Sequence, residues 1–559
     1  MEEKIIYDID SSIPEEEFQF AHKEESIHDT KFETRPVGWL EDSVRRFAKN
    51  RASVVAAIII VIIALFAIFV PVASPKYHVS KKDFQYGFQD TNFKTVLPRI
   101  KAFKGSGFWD GTKTVNIPEL TYTYMQYDDS NYNRCLKTIS VKEERIGSTI
   151  YRTYKIMQDT YAVGTKEIKL LPEDYEALLN YETEKGISYA SDPTGNAKKS
   201  IVKPTVDIED YINNEFVTWL EDHEVYDENS INNYIDKLST YYNQNQNIYY
   251  KIVPTTKRAG KPSDTQFEPL LDSNGQIIDL YIRDDSDNLV FGLLDNGLYT
   301  VRVDYYDYFT YRYGFEPNYV FGANQYGQDI LLRLALGARF SLLLGIGISL
   351  INFLIGLVWG AVSGYFGGKV DLVMERITDI IANVPTIIIM TIMQIQLTNN
   401  MELKAVIGTA GTIVLAILIA FIYNGWVGVA STTRMQFYRF KGQEYVLASR
   451  TLGARDSRLI FKHILPNAAG TLVTSSVLMI PGVIFSESSL SYLGIINFST
   501  SGICSIGALL NEGQAASIQY YPHVLLFPAI VISLLMISFN LFGNGLRDAF
   551  NTTLRGSEE

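Results

Sequence analysis

The sequence predicts a mainly α-helical membrane protein with six transmembrane helices and a folded α+β domain inserted between the first and second of them. Two observations carry this prediction. Apolar runs of about 20 residues, the length at which a helix crosses a hydrocarbon core, recur along the chain. Between the first run and the next lies a long polar block that holds most of the 36 tyrosines.

The overall composition excludes several classes of site. The net charge of −12 argues against a nucleic-acid partner, because phosphate binding needs a basic face. Two cysteines, Cys135 and Cys504, are too few for a disulfide framework or a thiolate metal site, and a single bridge between them stays open as the alternative to two free thiols. Neither His463 nor His523 has a second His or Cys at ligand spacing, so no metal site and no catalytic constellation is expected.

The first apolar run defines the orientation of the chain. Residues 1–51 are acidic and polar at their start and lack a signal-peptide pattern, so they are expected to form a cytoplasmic tail. The first transmembrane helix is predicted at residues 52–74. Arg45, Arg46 and Lys49 precede it, and positive charge beside a span marks the cytoplasmic side.

The polar block at residues 75–320 is therefore predicted to lie outside the cell. It contains 37 acidic and 28 basic side chains. Residues 122–127 and 298–305 alternate with the period of a strand, whereas 172–179 and 207–220 have helical patterns. The aromatic content and scarcity of proline favour a folded α+β domain, and a floppy insert is the alternative.

The remaining region, 321–559, carries five further apolar runs that are predicted to span the membrane, at residues 340–365, 377–397, 404–426, 467–490 and 522–543. If the N-terminus is inside and each span crosses the membrane once, loops 366–376 and 427–466 lie inside. Both loops contain Lys and Arg. The outside connections 398–403 and 491–521 contain neither residue type. Because the charge asymmetry and the even span count agree, both termini are predicted to be cytoplasmic.

Ionisable residues within the predicted spans are few, whereas small residues recur at close spacing. Asp379 and Glu487 are functional candidates by default, since an ionisable group in lipid is costly. Both lie near a predicted membrane boundary, so an interfacial or interhelical role is favoured over an ion relay. Closely spaced glycines predict tight helix packing, at Gly345, Gly347, Gly356, Gly360 and Gly364.

The inner loop 427–466 has the most informative local pattern. Its helical pattern after Gln443 ends at Gly453, which tolerates the left-handed conformation of a helix C-terminus. Residues 456–463 are predicted to form a second short helix, and Pro466 is expected to break the chain before the next span. The prediction is a helix–turn–helix below the membrane, and an amphipathic connector on the lipid surface is the alternative.

The chain has no phosphate-binding loop of the form Gly-x4-Gly-Lys-Ser/Thr. The nearest candidates, Gly367-Gly368-Lys369 and Gly111-Thr112-Lys113, lack the required spacing. If ATP drives this protein, another chain must bind it.

The inner loop resembles the signature loop of the permease subunits of ABC importers, which reads Glu-Ala-Ala, three residues, Gly, nine residues, then Ile-x-Leu-Pro. The matching positions are Leu447, Ala448, Ser449, Gly453, His463, Leu465 and Pro466. The Glu, the second Ala and the Ile of the pattern are therefore replaced. The segments 445–448 and 463–467 are similar to the oligopeptide/dipeptide branch of the family.

Further blocks in the same order resemble the C-type subunit of that branch. They are residues 322–342, residues 364–371 with Asp379 and Pro385 after them, residues 487–494, and residues 527–528 and 539–555. Ala323 and Asn324 stand where the family usually has Thr and Asp. Ser505-Ile506-Gly507 stands where the family usually has Ser-Trp-Gly, and the block 75–320 has no counterpart in the family pattern.

The resemblance implies six transmembrane helices of ABC importer permease type, in the plasma membrane of a bacterium. It implies a non-catalytic transport subunit that translocates oligopeptides or dipeptides. The implied partners are a second, B-type permease subunit, two ATP-binding subunits that hold ATP and Mg, an external substrate-binding protein, and membrane lipid. No cofactor is expected on this chain itself.

The resemblance also implies where the ATP-binding subunits dock, with residues 454–463 as the coupling helix. The predicted ATPase-coupling residues are Glu444, Leu447, Ala448, Gly453, Ala454, Arg455, Asp456, Arg458, His463 and Pro466. We expect the 75–320 domain to help dock or shield the binding protein. Two alternatives remain open, an importer of the same type for nickel, haem or sugars, and a membrane-anchored extracellular receptor.

Overall fold

The computed structural model describes residues 39–74, 89–103, 106–128, 136–147, 149–186, 201–203, 216–223, 227–245, 255–257, 267–269, 281–283, 289–293, 299–498, 502–516 and 521–550. The predicted N-terminal tail up to residue 38 lies outside the described residues, as do Cys135 and residues 207–215 of one predicted helix.

The described part is mainly helical. In chain order the helices are α1 (Trp39–Lys49), α2 (Arg51–Ala73), α3 (Glu119–Asp128), α4 (Pro172–Glu184), α5 (Val217–Asp222), α6 (Glu228–Asn245), α7 (Tyr305–Tyr313), α8 (Ile330–Phe366), α9 (Gly368–Ala382), α10 (Thr386–Asn399), α11 (Met401–Gly425), α12 (Val427–Lys441), α13 (Glu444–Thr451), α14 (Asp456–Arg458), a π-helical turn (Leu459–Ile464), α15 (Leu465–Tyr492), α16 (Ile506–Ala515) and α17 (His523–Phe550).

Five of these helical runs are long and apolar enough to cross a membrane. They are α2, α8, the run Met401–Lys441, the run Asp456–Tyr492, and α17. Helices α9 and α10 pass the same test as a pair that is bent by 68°, and this pair makes a sixth candidate if it is one span. Many large apolar side chains on these helices are exposed, as expected of surfaces that face lipid or a neighbouring membrane protein.

The boundaries differ from the predicted spans in three places. Helix α8 begins at Ile330 rather than near residue 340, because the Asp329 carboxylate accepts a hydrogen bond from the Leu331 amide and caps the helix there. The predicted third span, 377–397, is wrong as a single helix. It breaks just before Pro385, which cannot donate a backbone hydrogen bond and disfavours helical geometry in the residue before it.

The predicted fourth span, 404–426, is also too short. Helix α12 continues the direction of α11, so residues 427–441 of the predicted inner loop are helical. Within α11, Gly408 has a positive φ of 73° and kinks the run near its start. The predicted span 467–490 lies inside α15, and the span predicted at 522–543 coincides with the first part of α17, which continues to Phe550.

Helix α8 is the central element of the membrane part. It has 37 residues and is therefore about 55 Å long at about 1.5 Å per residue. Four separate buried clusters each include one or two of its side chains. These α8 members are Ile330, Ala338 with Leu342, Leu344 with Ile348, and Tyr365. Helices α2, α11, α12, α15 and α17 all pack against it or against each other through these clusters.

The predicted glycine packing is confirmed along the C-terminal half of α8. Gly356, Gly360 and Gly364 recur at every fourth position and face α12. An added Cβ at Gly356 would lie 2.6 Å from the Trp426 carbonyl oxygen, and one at Gly364 would lie 2.7 Å from the Arg434 carbonyl oxygen. The two backbones are therefore in direct contact, and α8 and α12 form one rigid pair. Gly347 is different, because nothing lies within 4 Å of an added Cβ there.

The inserted region contains short antiparallel sheets. The strands are β1 (Thr112–Pro118), β2 (Leu136–Ile146), β3 (Thr149–Asp159), β4 (Thr165–Leu170), β5 (Val202–Lys203), β6 (Thr255–Lys257), β7 (Phe267–Pro269), β8 (Tyr281–Arg283), β9 (Leu289–Leu293) and β10 (Tyr299–Asp304). One sheet has the order β1-β3-β2, a second has the order β4-β10-β9-β8 with β5 also paired to β10, and β6 pairs with β7. In the first sheet Thr112 lies opposite Asp159, and in the second Tyr299 lies opposite Leu170.

Local predictions in this region were mixed. The helix predicted at 172–179 is confirmed as α4, and the strand predicted at 298–305 is confirmed as β10 over Tyr299–Asp304. The strand predicted at 122–127 is wrong, because these residues lie in α3. Tyr122 there stacks on Tyr154 of β3 with ring centroids 3.9 Å apart, so packing on the sheet outweighs the alternating pattern.

The chain enters and leaves the inserted region through two paired segments, which we call the neck (residues 89–99 and 318–328). Backbone hydrogen bonds join Thr95 to Asn324 and Arg99 to Tyr319. The buried Tyr305 hydroxyl donates to the Asp90 carboxylate at 2.7 Å. The neck residues Phe93, Val96, Tyr319 and Ala323 belong to the same buried cluster as the strands, so the core of the inserted region reaches down to the start of α8.

The neck rests on the first turns of α17. The ring of Phe321 stacks on that of Phe527 with centroids 4.1 Å apart, and Trp109 contacts Phe527 at 5.7 Å. The His523 Nε2 atom lies 3.3 Å from the Ala323 carbonyl oxygen. These contacts attach the inserted region to the membrane helices.

Candidate functional site

The segment between α12 and α15, residues 443–467, is here called the coupling segment. Helix α13 ends at Gly453, whose φ of +85° is the left-handed conformation that glycine adopts without strain. The Ala454 amide donates to the Ser449 carbonyl and the Gly453 amide to the Arg450 carbonyl. This is the hydrogen-bond pattern of a Schellman cap, so the predicted helix end at Gly453 is confirmed.

The second half of the segment differs from the predicted short helix followed by a break. Residues 456–458 are α-helical, residues 459–464 form a π-helical turn, and α15 follows without interruption. The predicted break at Pro466 is wrong, because the π-helical turn leads directly into α15 and the proline lies within the first turn of that helix. The segment is therefore joined rigidly to a candidate membrane span, and π-turns of this kind often mark functional positions.

The structure leaves most of the predicted coupling residues exposed. Of these ten residues, Ala454 and His463 are partly buried and the others are exposed, namely Glu444, Leu447, Ala448, Gly453, Arg455, Asp456, Arg458 and Pro466. Arg455 and Arg458 supply positive charge beside Lys462, which is also exposed. An exposed and mainly cationic surface of this kind can bind an acidic partner.

Two exposed apolar residues of the coupling segment were not among the residues predicted from the sequence. Leu452 is 88% exposed and Phe461 is 69% exposed. Large exposed apolar side chains next to polar ones are typical of protein interfaces. The sequence does show these two large apolar residues in an otherwise polar loop, and that pattern could have added them to the predicted coupling residues.

The buried side of the coupling segment is attached to the C-terminal end of α8. Tyr365 is 6% exposed and shares a cluster with Phe437 of α12, Val446 of α13, and Leu459 and Ile464 of the π-turn. Its hydroxyl donates to Asp456, and Arg450 donates to the same hydroxyl at 3.2 Å. Sequence reasoning missed Tyr365 because it lies 91 residues from Asp456 along the chain.

A second polar cluster joins α9 to the α8–α12 pair. The Asp371 carboxylate accepts two hydrogen bonds from Arg434, at 2.5 and 2.6 Å, and one from the Tyr438 hydroxyl at 2.7 Å. The Ser363 hydroxyl also donates to it. The bidentate pair and the additional donors fix the Asp371 carboxylate and the Arg434 guanidinium in place. The start of α9 is therefore held to both α8 and α12.

The two predicted intramembrane acids have different environments. Glu487 of α15 is fully buried and accepts hydrogen bonds from Ser491 at 2.8 Å and from Ser341 of α8 at 3.3 Å. This is the interhelical placement that the sequence favoured. Asp379 is half exposed and forms an ion pair with Arg376 at 3.1 Å on the surface of α9.

A third polar cluster lies at the opposite end of α8 from the coupling segment. Arg333 forms an ion pair with Glu512 of α16, and the Asn324 side-chain amide donates to Glu512 at 2.8 Å. The amide at 324 explains one departure from the family pattern, because the usual Asp could not donate to a carboxylate. The cluster borders a cavity of about 480 Å³ that Asn497, Phe498, Cys504 and Asn511 also line.

Cys504 is a free thiol in this cluster. Its sulfur lies 3.3 Å from the Arg333 carbonyl oxygen. Burial raises the pKa of the Cys504 thiol to about 11, so the thiol stays protonated at neutral pH and is a poor nucleophile.

The Schellman cap supplies a local test of the coupling segment. Replacing Gly453 by Ala forces a Cβ into a left-handed residue and should cost about 1 kcal/mol, although nothing lies within 4 Å of the new atom. Amide hydrogen exchange over residues 449–454 should become about fivefold faster. The matched control is Gly442→Ala, where φ is −90° and space is also open. Its exchange should be unchanged or slower, and equal acceleration in both variants would contradict the role of Gly453.

Comparisons with known proteins show which family the chain is similar to. The sequence profile described as binding-protein-dependent transport system inner membrane component matches residues 356–556. The profile described as N-terminal TM domain of oligopeptide transport permease C matches residues 38–92. Residues 93–355, which include most of the inserted region, lie outside both matches.

Several curated proteins are similar to the chain. The oligopeptide transport system permease protein OppC of Bacillus subtilis is 40% identical over 235 residues, which are 42% of this chain and 72% of that protein. The dipeptide transport system permease protein DppC of Lactococcus lactis subsp. cremoris is 38% identical over 44% of this chain and 66% of that protein. OppC of Escherichia coli is 34% identical over 42% of this chain and 73% of that protein.

Among solved structures, an inward-facing form of the MetNI methionine ABC transporter matches 40% of this chain and 98% of that chain, with 18% identity and a TM-score of 0.31. The membrane helices, the coupling segment and the sequence relatives lead to one assignment. The chain belongs to the family of C-type permease subunits of oligopeptide and dipeptide transport systems.

Proposed function

We propose that this chain is one of two membrane subunits of an ATP-driven importer and that it translocates oligopeptides or dipeptides. The observation that carries the proposal is the coupling segment, which has an exposed cationic and apolar face and is buried against α8 on its other side. The names of the similar proteins, oligopeptide and dipeptide transport permeases, support the choice of cargo.

Energy for transport would come from partner chains. The sequence lacks a phosphate-binding loop, so two ATP-binding subunits would hold ATP and Mg, and this subunit itself would not be an enzyme. One of these subunits would dock on the coupling segment, with Leu452 and Phe461 as apolar anchors and Arg455 and Arg458 at the rim.

The bent pair α9–α10 would be the third of six membrane spans. This count leaves both termini in the cytoplasm, the inserted region outside, and the coupling segment inside, as the Lys and Arg distribution requires. The exposed apolar faces of α2, α9 and α10 would contact lipid and a second, B-type permease subunit in a bacterial plasma membrane.

The inserted region would dock or shield an external substrate-binding protein. Its attachment supports this role, because the neck is bonded both to the start of α8 and to the first turns of α17. A protein bound to the inserted region would therefore be held close to the outer ends of two candidate spans.

Removal of the inserted region tests this role. A variant in which residues 100–317 are replaced by a short Gly/Ser linker keeps the paired segments of the neck. Association with the binding protein, measured by co-purification, should weaken, whereas association with the ATP-binding subunits should not change. Unchanged association with the binding protein would contradict the docking role.

Uptake measurements test the function itself. Cells with and without this chain should differ in ATP-dependent uptake of labelled di- and oligopeptides, and the purified chain should bring down its ATP-binding subunits. An importer of the same build for nickel, haem or sugars would retain the ATP-binding subunits but would take up one of those compounds instead. A membrane-anchored receptor would bring down no ATP-binding subunit.

A further inference from the structure

We propose that the hydroxyl group of Tyr365 is the contact through which the coupling segment moves α8, which makes Tyr365 a positioning residue for transport. The inference rests on the proposed function, since it assumes that partner subunits act on the coupling segment. The family resemblance assigns the coupling step to a whole loop, whereas this inference assigns it to one oxygen atom.

The first support is the position of Tyr365 between the two halves of the coupling segment. Its hydroxyl donates to Asp456, the first residue of α14, and accepts from Arg450, in the last turn of α13. These two partners lie on either side of the Gly453 turn. One oxygen therefore joins both arms of the helix–turn–helix to α8.

The second support is the fit of the chemistry to that position. A tyrosine hydroxyl has one proton to donate and lone pairs to accept, and here it donates to an anion and accepts from a cation. Hydrogen bonds to charged partners are stronger than neutral ones and more directional. The Arg450 guanidinium also lies 5.7 Å from the centre of the Tyr365 ring, so the ring itself is held by a cation–π contact.

The third support is that α8 cannot absorb a displacement at its inner end. Its glycine face is in backbone contact with α12, and it runs without interruption to the polar clusters of Glu487 and of Arg333 with Glu512. A close-packed helix transmits a shift rather than deforming locally. Movement of Tyr365 is therefore delivered to the outer end of α8.

The test separates the hydroxyl from the ring. Tyr365→Phe keeps the buried ring in its cluster and removes only the oxygen. In the complete purified complex in lipid vesicles, ATP-binding subunits should still co-purify and ATP should still be hydrolysed. Peptide transported per ATP hydrolysed should fall about tenfold, which is the effect of about 1.4 kcal/mol on a two-state equilibrium.

The matched control is Tyr438→Phe. Its hydroxyl also donates to a carboxylate, that of Asp371, but Tyr438 lies on α12 and its hydroxyl bonds to no coupling-segment residue among the contacts described. Transport per ATP should stay near the wild-type value in this control. An equal loss in both variants would assign the effect to general weakening of the helix pair and would overturn the inference.

A double-mutant cycle with Asp456→Ala tests whether the two groups act as a pair. If the Tyr365–Asp456 contact is the path, the double variant should transport no less per ATP than the poorer single variant. The inference would be overturned if the transport losses of the two single variants multiplied in the double variant. It would also be overturned if Tyr365→Phe transported like the wild type or lost its ATP-binding subunits. Failure of the wild-type complex to transport any peptide would instead count against the proposed function.

Discussion

The close contact between α8 and α12 is the constraint on which the rest of the structure depends. Gly356, Gly360 and Gly364 leave no room for a side chain between the two backbones. In a membrane, where apolar burial between helices gains little over lipid contact, such van der Waals packing is the main source of association. The pair therefore behaves as one body, and the elements bonded to either helix are positioned by it.

Four polar contacts lie along this body. At the C-terminal end of α8, Tyr365 joins α8 to the coupling segment, and Asp371 with Arg434 joins α9 to α12. Toward the other end, Ser341 contacts Glu487 of α15, and Arg333 pairs with Glu512 of α16. In the proposed function, a shift of the coupling segment would be carried along α8 from the Tyr365 contact toward the contacts of Glu487 and Glu512.

The inserted region is also attached to this helix pair. Its core continues into the neck, and the neck is bonded to the residues that start α8 and to the first turns of α17. The large domain is thus attached at the helix whose C-terminal end meets the coupling segment. In the proposed function, this placement would connect a docked binding protein mechanically to the membrane helices.

Hydropathy and charge alone predicted the helical membrane part and most span positions, because these depend on local composition. The bend at Pro385, the early start of α8 at Asp329 and the continuous helix through Pro466 were mis-predicted, since each depends on one capping group or one proline position. Tyr122 was placed in a strand because its alternating pattern is local, whereas its stacking on Tyr154 is not.

The coupling residues were predicted from the signature loop, and Gly453 was predicted correctly from its backbone requirement. Tyr365, Arg333 and Glu512 could not be predicted in the same way, because their partners are distant along the chain.

The most direct measurement of the central claim is the distance between the coupling segment and α8 in a working complex. Spin labels on the exposed residues Thr451 and Phe366, in a chain whose native cysteines are replaced by serine, report this distance. The account predicts the same distance in the nucleotide-free complex and in the ATP-bound complex, because the two elements move together. A clear change in that distance between the two states, in a complex that still takes up peptide, would contradict it.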